Sequence, residues 1–515
     1  MNDISSNHRT AHLLNIILLL ILAGLGFINA VLIMLHDFNS DKLALTALYN
    51  AIIVERLGFN GWNFSAAPQF FPDIPLFFIT KSLSSNIFFS NALYVLLLLA
   101  FIVFLCIKLF NMLTVPRLES YEYGCIAILA LSSLLSFPNN QVVERLWPNF
   151  HGGEIVLGFA SLVLSAHIIT RRVYTKVTFI LQLILSILLI ASDKLIISQF
   201  FIPIMASLFI TTIIGLVSWR VVIMTFTCYG IGSLISELIL RDMVVYQHLN
   251  ISGIGIRLFS KDVLFKFISD IRLFDFKLEF VSVTLCFILS IASLINYRKY
   301  LRVTSIDQSS DSESISVGIF LAIFTMSQII FTISAPIIMG TWKDLGSLRY
   351  FSSLWIISPI LFIWLMFFNF SDNRNIIKIK NTAIVILMSL ILYNNLSYLL
   401  VNKLAFHVPY PSVVECIDIV AMENSIKFAY SDYRLANYIT YLSKSSLKVN
   451  QWDANIEEFH WLNHNEWYNK APLPHGKEPV MIIIKDLNSD KIIEKYGIPA
   501  IIRNCADIGQ IYIYH

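Results

Sequence analysis

The sequence predicts a polytopic α-helical membrane protein with a small water-facing α/β domain at its C-terminus. Of its 515 residues, 57% are hydrophobic and only 14% are charged, and the mean hydropathy is +0.70. Soluble domains carry about 25% charged residues, so this composition favours a membrane protein. About eleven apolar runs approach the roughly 20 residues that a helix needs to cross a bilayer. A more polar segment, 403–515, follows them.

The apolar runs predict a transmembrane domain of about eleven helices over residues 1–402. The first run is about twice the length of the apolar region of a signal peptide, so we interpret it as a retained membrane helix. The predicted spans are 12–35, 89–113, 121–137, 153–170, 177–191, 195–217, 221–240, 278–297, 315–339, 351–370 and 382–402.

Positive charges in the loops predict the orientation of the chain. With a cytoplasmic N-terminus, the inside loops are short and dense in cations, for example at Arg117 and at the group of Arg298, Lys299 and Arg302. An odd number of spans then places the C-terminal domain outside, in the periplasm of a bacterial cell, with the chain in the cytoplasmic (inner) membrane. The net charge of +3, without a basic cluster interleaved with aromatics, argues against a nucleic-acid partner.

Residues 403–515 alternate strand and helix patterns, which is typical of a small α/β layer fold. The predicted strands are 425–430, 447–452, 480–485 and 510–514, and the predicted helices are 433–443 and 489–496. Cys416 and Cys505 are the only cysteines of this domain. Because the compartment that we predict for it is oxidising, we expect them to form a disulfide. The sequence has no CxxC motif or Cys/His metal-binding spacing.

The first external loop, 36–88, is long and contains an amphipathic stretch, 41–57, and a Pro/Phe-rich segment, 67–78. Asp41 lies just beyond the first predicted span. A carboxylate there suits a general base for an acceptor hydroxyl, or a ligand for a divalent cation beside a lipid phosphate. The position, directly after Ser40, also suits a helix N-cap.

Other polar residues lie in further predicted outside positions. Asp73 suits a turn or a binding role. His151 precedes two glycines and suits phosphate or metal binding, or an interfacial position. Asp193 lies between two apolar runs, where it suits either a cap beside a snorkelling lysine or a site residue. Arg349, next to Tyr350, suits a bidentate contact with a lipid phosphate or an interfacial anchor.

At these residues the chain resembles the polytopic GT-C glycosyltransferases, the class of the protein O-mannosyltransferases and of the aminoarabinose transferase that modifies lipid A. Asp41 falls at the acidic position that opens the first external loop of that family. Arg349 and Tyr350 resemble its Arg-Tyr motif at the outer end of a late helix. Segments similar to an uncharacterised bacterial subgroup with the same layout are 68–73, 150–153, 192–195, 431–433 and 459–463.

The resemblance implies transfer of a sugar from a polyprenyl-phosphate donor to a lipid, glycan or protein acceptor at the outer face of the membrane. Asp41 would deprotonate or orient the acceptor hydroxyl. Many members carry an Asp-Glu pair there, whereas Lys42 follows Asp41 here, which leaves a lone base and keeps a cation at Asp41 an open alternative. No other cofactor is expected. The expected substrate-binding residues are Arg349, His151, Asp193, Asp73, Tyr350 and Lys42.

Two other classes of protein fit part of the pattern. A lipid-carrier flippase or transporter would place ionisable residues along a path through the membrane. Glu237 is the one obvious acidic residue deep in a late apolar run, so the sequence favours chemistry at the surface. A non-catalytic membrane scaffold would use the C-terminal domain to bind a partner, and would tolerate replacement of Asp41.

Overall fold

The computed structural model of the chain is mostly helical, with a small sheet near its C-terminus. The residues that it describes are 17, 20–33, 38–112, 144–243, 260–273, 279–303, 311–369, 389, 392–400 and 410–515, apart from positions 66, 145, 172, 398 and 475. The described helices before the C-terminal domain, labelled α1 to α12, are Leu20–Ile33, Ala44–Tyr49, Asp73–Leu83, Ile87–Asn111, Gly152–Arg171, Lys176–Ser192, Ile202–Ile213, Trp219–Met243, Lys261–Leu273, Glu279–Val303, Asp311–Ile338 and Ser352–Asn369.

Three short helical segments join these helices. Asn50–Val54 continues α2 as a π-helical turn, Ile197–Phe201 is a π-helical turn before α7, and Leu345–Phe351 is a 3-10 helix before α12.

Five described helical stretches are long and apolar enough to cross a membrane. They coincide with five of the predicted spans and lie in α4, α5, α8, α11 and across the start of α12. Helices α1, α6 and α7 and part of α10 are apolar but shorter. The predicted span 121–137 lies outside the described residues, and 382–402 is described only in part.

Helix α5 lies at the centre of the bundle, where it packs against α4, α6 and α11. Glycines allow the helices of the bundle to pack closely. A Cβ on Gly158 of α5 would lie 2.5 Å from the ring of Phe200, and one on Gly232 of α8 would collide with Ser186 of α6. Small residues at helix interfaces are the usual way in which membrane helices come close together. Helix α5 is therefore packed closely within the bundle.

The C-terminal domain, which we call the tail domain, is a five-stranded sheet with helices on both faces. Strand β1 pairs in parallel with β2 and β3, and β5 is antiparallel to β3 and β4, which gives the order β2-β1-β3-β5-β4. Apolar residues of α13 and α14 cover one face and those of α16 the other. The strands are β1 Phe428–Ser431, β2 Lys448–Gln451, β3 Val480–Ile483, β4 Ile501–Cys505 and β5 Gly509–Tyr514, and the helices are α13 Ser412–Glu423, α14 Tyr433–Leu442, α15 Glu466–Lys470 and α16 Ser489–Tyr496.

Four of these strands correspond to the predicted ones, whereas β4, α13 and α15 are not predicted by the sequence pattern. Strand β4 lies at an edge of the sheet, and most of its side chains are exposed, so it lacks the apolar alternation that identifies a strand. Cys416 of α13 and Cys505 of β4 form the expected disulfide, with their Cα atoms 6.0 Å apart. This bond ties α13 to β4.

The tail domain is docked on the first long loop, within residues 36–88, by backbone hydrogen bonds. The amide of Asn63 donates to the carbonyl of Asn463 at 2.8 Å, the amide of Leu462 donates to the carbonyl of Asn63 at 2.9 Å, and the amide of Asn465 donates to the carbonyl of Gly61 at 2.9 Å. Gly61 has a φ of +99°, which glycine adopts readily. The two segments, 61–63 and 462–465, therefore form a short β-like bridge, which we call the docking bridge.

Side chains support the docking bridge on one flank. Glu55, just after α2, binds Lys448 of β2 at 2.9 Å and accepts a hydrogen bond from the indole of Trp467 at 3.0 Å. The rings of Trp62 and Trp467 meet edge to face. The first loop and the tail domain are thus packed as one unit at one end of the helical bundle.

Candidate functional site

A cavity of about 840 Å³ lies where the first loop, the ends of several helices and the tail domain meet. Five residues that the sequence analysis selected, Asp41, His151, Asp193, Arg349 and Tyr350, line this one cavity although they are far apart in the chain. Their convergence makes it the candidate functional site. The polar and charged residues that line it are Asp41, Ser65, Gln69, Asn149, His151, Asp193, Lys194, Ser198, Ser334, Arg349 and Tyr350.

Part of the lining of the cavity is apolar and comes from α7 and the end of α11, and we call it the apolar wall. It includes Ile202, Phe331, Ala335, Ile338 and Met339. Ile202, Ile338 and Met339 are 39%, 46% and 51% exposed. The cavity is therefore lined by charged side chains and by accessible apolar side chains.

Asp41 lies in the turn before α2 and does not cap that helix. Helix α2 begins at Ala44, and its N-cap residue is Leu43, which makes no side-chain cap. The N-cap interpretation of Asp41 is therefore wrong. The carboxylate lines the cavity instead, where the side chain of Trp461 from the tail domain hydrogen-bonds it.

The surroundings of Asp41 change its proton affinity in opposing directions. Burial raises the pKa of Asp41 above its ordinary value. The hydrogen bond from Trp461 and the positive charges of Arg349 and Lys42 act against this rise, while the charge of Glu144 adds to it. A carboxylate with a raised pKa is a stronger base once it has lost its proton, which suits it to accept a proton from a hydroxyl.

Lys42 does not belong to the lining of the cavity. Its side chain is buried, its Nζ is 3.7 Å from Glu144, and it lies 5.5 Å and 5.9 Å from the ring centres of Trp147 and Phe150. These contacts hold the segment before α5 against the first loop. The structure thus gives Lys42 a packing role, and its expected contact with a substrate stays a prediction.

His151, Glu154 and Asp193 form a cluster at the floor of the cavity, and one ligand atom of each lies within 4.8 Å of the others. Nδ1 of His151 is 2.5 Å from Oδ2 of Asp193 and 3.9 Å from Oε2 of Glu154. The other oxygen of Asp193 accepts the backbone amide of Leu195 at 2.8 Å, which fixes its side chain. Imidazole and carboxylate groups at such distances are the kind of set that can hold a metal ion.

Glu154 is a site residue that the sequence analysis missed. It lies in the first turn of α5, and its side chain is 3% exposed. The signal that could have found it is a single acidic residue inside an otherwise apolar span, directly after His151 and two glycines. An ionisable residue in such a place is a functional candidate by default.

Asp73 lies behind this cluster and is fully buried at the start of α3. Burial raises the pKa of Asp73 to about 7, and the neighbouring charge of Asp193 contributes to the rise. Hydrogen bonds from Tyr94 and from the backbone of Asn149 and Gly153 offset part of it. Asp73 thus joins the first loop to the segment that leads into α5, and does not itself face the cavity.

Four residues that line the cavity have a left-handed backbone. They are Gln69, Asn149, His151 and Leu462, with φ values of 57°, 72°, 72° and 52°. Residues other than glycine seldom adopt this conformation. Strained backbone is typical of functional sites, where the surrounding structure holds it in place. Its concentration here supports the choice of this cavity.

Arg349 and Tyr350 are presented by the 3-10 helix before α12. Asp344 and Ser347 form a capping box at its start, and the carbonyl of Tyr350 accepts a hydrogen bond from Gln199 at 2.9 Å. The exposed guanidinium of Arg349 lies 5.3 Å from the ring centre of Tyr350. The capping box and the hydrogen bond from Gln199 fix the backbone around Arg349, so its planar guanidinium stays available to an anion in the cavity.

Two residues of the tail domain, Trp461 and Leu462, complete the lining. The sequence analysis noted their motif but assigned it no role in the site. They reach the cavity because the docking bridge begins at Leu462. A contact between the two ends of a chain has no local sequence signal.

Comparison with known proteins leaves the family open, since no protein-family model matches the chain and a search of the curated proteins finds no match. The resemblance to GT-C glycosyltransferases therefore rests on the residues quoted above.

Replacing Gly153 tests how tightly the floor of the cavity is packed. A Cβ on Gly153 would collide with the carboxylate of Asp73 and lie 2.6 Å from Pro72, whereas one on Gly230 of α8 would meet nothing within 4 Å. We expect Gly153→Ala to cost about 1–3 kcal/mol and to lower the thermal unfolding midpoint in detergent. Gly230→Ala should be neutral or slightly stabilising. Equal midpoints for the two variants would contradict the packing described here.

Proposed function

We propose that the protein is an integral membrane glycosyltransferase that moves a sugar from a polyprenyl-phosphate carrier to an acceptor at the outer face of the cytoplasmic membrane. The observation that carries the proposal is the mixed lining of the cavity, in which charged and apolar side chains meet. A polyprenyl-phosphate sugar has an apolar tail, an anionic phosphate and a polar sugar in that order. The apolar wall, the cation Arg349 and the polar end with Asp41 offer matching surfaces.

The donor would enter from the side of the bundle. Its first isoprene units would lie along the apolar wall near Ile202 and Ile338, whose side chains are accessible. Its phosphate would lie near Arg349, whose planar guanidinium can make two parallel hydrogen bonds to phosphate oxygens. The sugar would then face Asp41 beneath Trp461.

Transfer would proceed by direct displacement at the anomeric carbon. Asp41 accepts the proton of the acceptor hydroxyl, and the acceptor oxygen forms a bond to the anomeric carbon. The bond from that carbon to the phosphate oxygen breaks, and the phosphate leaves with the electron pair. Arg349 stabilises the charge that develops on it. A single displacement with one base inverts the configuration of the sugar.

The proposal includes about eleven spans, a cytoplasmic N-terminus and a tail domain outside. The alternation of cation density in the loops supports this orientation. The position of the tail domain agrees with it, since Trp461 reaches the same cavity as Asp41, His151, Asp193 and Arg349.

Neither alternative class accounts for the site as well. In the described residues, the side chain of Glu237 is 62% exposed and pairs with Lys194 at 2.8 Å at the surface of the bundle, so it does not mark an internal path for transport. A scaffold would need neither a half-buried carboxylate facing a cavity nor the strained backbone around it.

Asp41→Asn tests the proposed base. The change keeps the size of the side chain but removes its ability to accept a proton, so we expect transfer to fall about 100-fold or more. Activity is measured with a polyprenyl-phosphate sugar in detergent. Asp344→Asn is the matched control, because Asp344 lies outside the cavity and asparagine caps a helix about as well as aspartate. Wild-type transfer by Asp41→Asn would remove Asp41 from the mechanism.

Trp461→Phe tests the link between the tail domain and the base. The change keeps an aromatic ring but removes the indole N–H, whose hydrogen bond lowers the pKa of Asp41. Since the base works only when deprotonated, transfer rises with pH through that pKa, and the acid limb of the rate profile should move to higher pH. Arg349, Lys42 and Glu144, which also act on Asp41, are unchanged.

Trp467→Phe is the control for this shift, because the indole of Trp467 binds Glu55 rather than Asp41. Its acid limb should coincide with that of the wild type. An unmoved acid limb in Trp461→Phe would contradict the assignment of the limb to Asp41.

A further inference from the structure

Glu154 is the most anomalous side chain near the cavity. It is buried, and neither of its carboxylate oxygens accepts a hydrogen bond from another residue that the structure describes. A buried carboxylate without a partner is costly, and such groups are usually paired or coordinate a metal. Direct pairing with Nδ1 of His151 is too long for a hydrogen bond at 3.9 Å. Glu154 therefore points to a ligand.

The charges around Glu154 lead to the same conclusion. Its nearest ionisable neighbours include the carboxyl groups of Asp73 and Asp193, and the charges of these groups repel one another. Nδ1 of His151 contacts Asp193, so one imidazole faces more than one acid. A divalent cation would supply the missing positive charge within the cluster.

We propose that His151, Glu154 and Asp193 bind a divalent transition-metal ion, Zn²⁺ or Mn²⁺, at the floor of the cavity. One imidazole nitrogen with two carboxylates suits these ions better than Ca²⁺ or Mg²⁺, which prefer oxygen ligands alone. Ligands about 2.0–2.2 Å from such an ion lie about 3–4 Å from one another. The three ligand atoms lie within 4.8 Å of one another, so small side-chain movements suffice.

Binding requires a change at His151. Nδ1 is 2.5 Å from Oδ2 of Asp193. To bind the ion, Nδ1 must carry no proton, so that the neutral ring carries its proton on Nε2. Asp193 is already oriented by the amide of Leu195. Orientation of this kind by a neighbouring group is what a metal ligand needs.

The position of the site gives the ion a role. His151 and Asp193 line the cavity, whereas Glu154 does not belong to the lining, so the free coordination positions of the ion face the cavity. A phosphate oxygen of the donor would occupy one of them. This role rests on the proposed function, but binding of the ion does not.

The test measures metal binding in the absence of donor and acceptor. Full-length protein in detergent is stripped with a chelator and titrated with ZnCl₂ or MnCl₂ by calorimetry. We expect one equivalent to bind to the wild type. Glu154→Gln, which keeps the shape of the side chain, should bind at least about 10–100-fold more weakly, since even neighbours of ligands contribute that much. Glu237→Gln, an acid removed nearby outside the cluster, should bind like the wild type.

Two results would overturn the proposal: no saturable binding by the wild type, or equal affinity in Glu154→Gln. Should Glu154→Gln fail to fold, His151→Gln, at the edge of the cavity, replaces it with the same expectation. Thermal unfolding gives a second measure, because a bound ion stabilises only the folded state. The midpoint should rise with added metal in the wild type and not in either variant.

Activity then separates the two proposals. Full transfer by chelator-stripped protein would overturn the role of the ion in holding phosphate and leave the glycosyltransferase proposal standing. Metal binding by a protein that transfers no sugar would support the site and count against the proposed function.

Discussion

The docking bridge between residues 61–63 and 462–465 is the interaction on which the candidate site depends. Its backbone hydrogen bonds bring the tail domain over the first loop and place Trp461 above Asp41. The hydrogen bond from Trp461 lowers the pKa of Asp41, whereas burial of the carboxylate raises it. The tail domain is therefore part of the site, rather than an appendage to a membrane domain.

The packing of helix α5 is a second constraint on the site. Helix α5 is packed on several sides, and its first turn carries Glu154 into the floor of the cavity. Buried acids, together with left-handed backbone at Asn149 and His151, lower the stability of the fold at this place. Such costs are typical of sites that are shaped for binding or catalysis. The compact packing of α5, visible at Gly153 and Gly158, keeps these groups in position.

The sequence predicted much of the polar end of the site. Asp41, His151, Asp193 and Arg349 could be selected because charged residues next to apolar spans are costly, and the loop charges placed them on one side. Glu154 was missed because the selected residues all lay in predicted loops, although a lone acidic residue within an apolar span is itself a signal. The contribution of Trp461 to the site could not be predicted from the sequence, because it depends on a contact between distant parts of the chain. The burial of Lys42 beside Trp147 and Phe150 could not be predicted, because it has no sequence pattern.

The same limits apply to the tail domain. Strand β3 is apolar along its whole length and is buried on both faces, so its sequence alone identifies it. Strand β4 is an exposed edge strand that is recognised only through its pairing with β5 and through the bond between Cys416 and Cys505. Apolar periodicity in the sequence identifies the elements that form a core. Exposed elements such as β4 are identified only by their contacts in the structure.

A cryo-electron microscopy structure of the protein with a bound polyprenyl-phosphate sugar would test the central claim most directly. The mixed lining of the cavity predicts density for the phosphate beside Arg349, the sugar next to Asp41 and the isoprenoid chain along Ile202 and Ile338. Donor bound at another surface of the bundle, with this cavity free of it at saturating concentration, would contradict the claim.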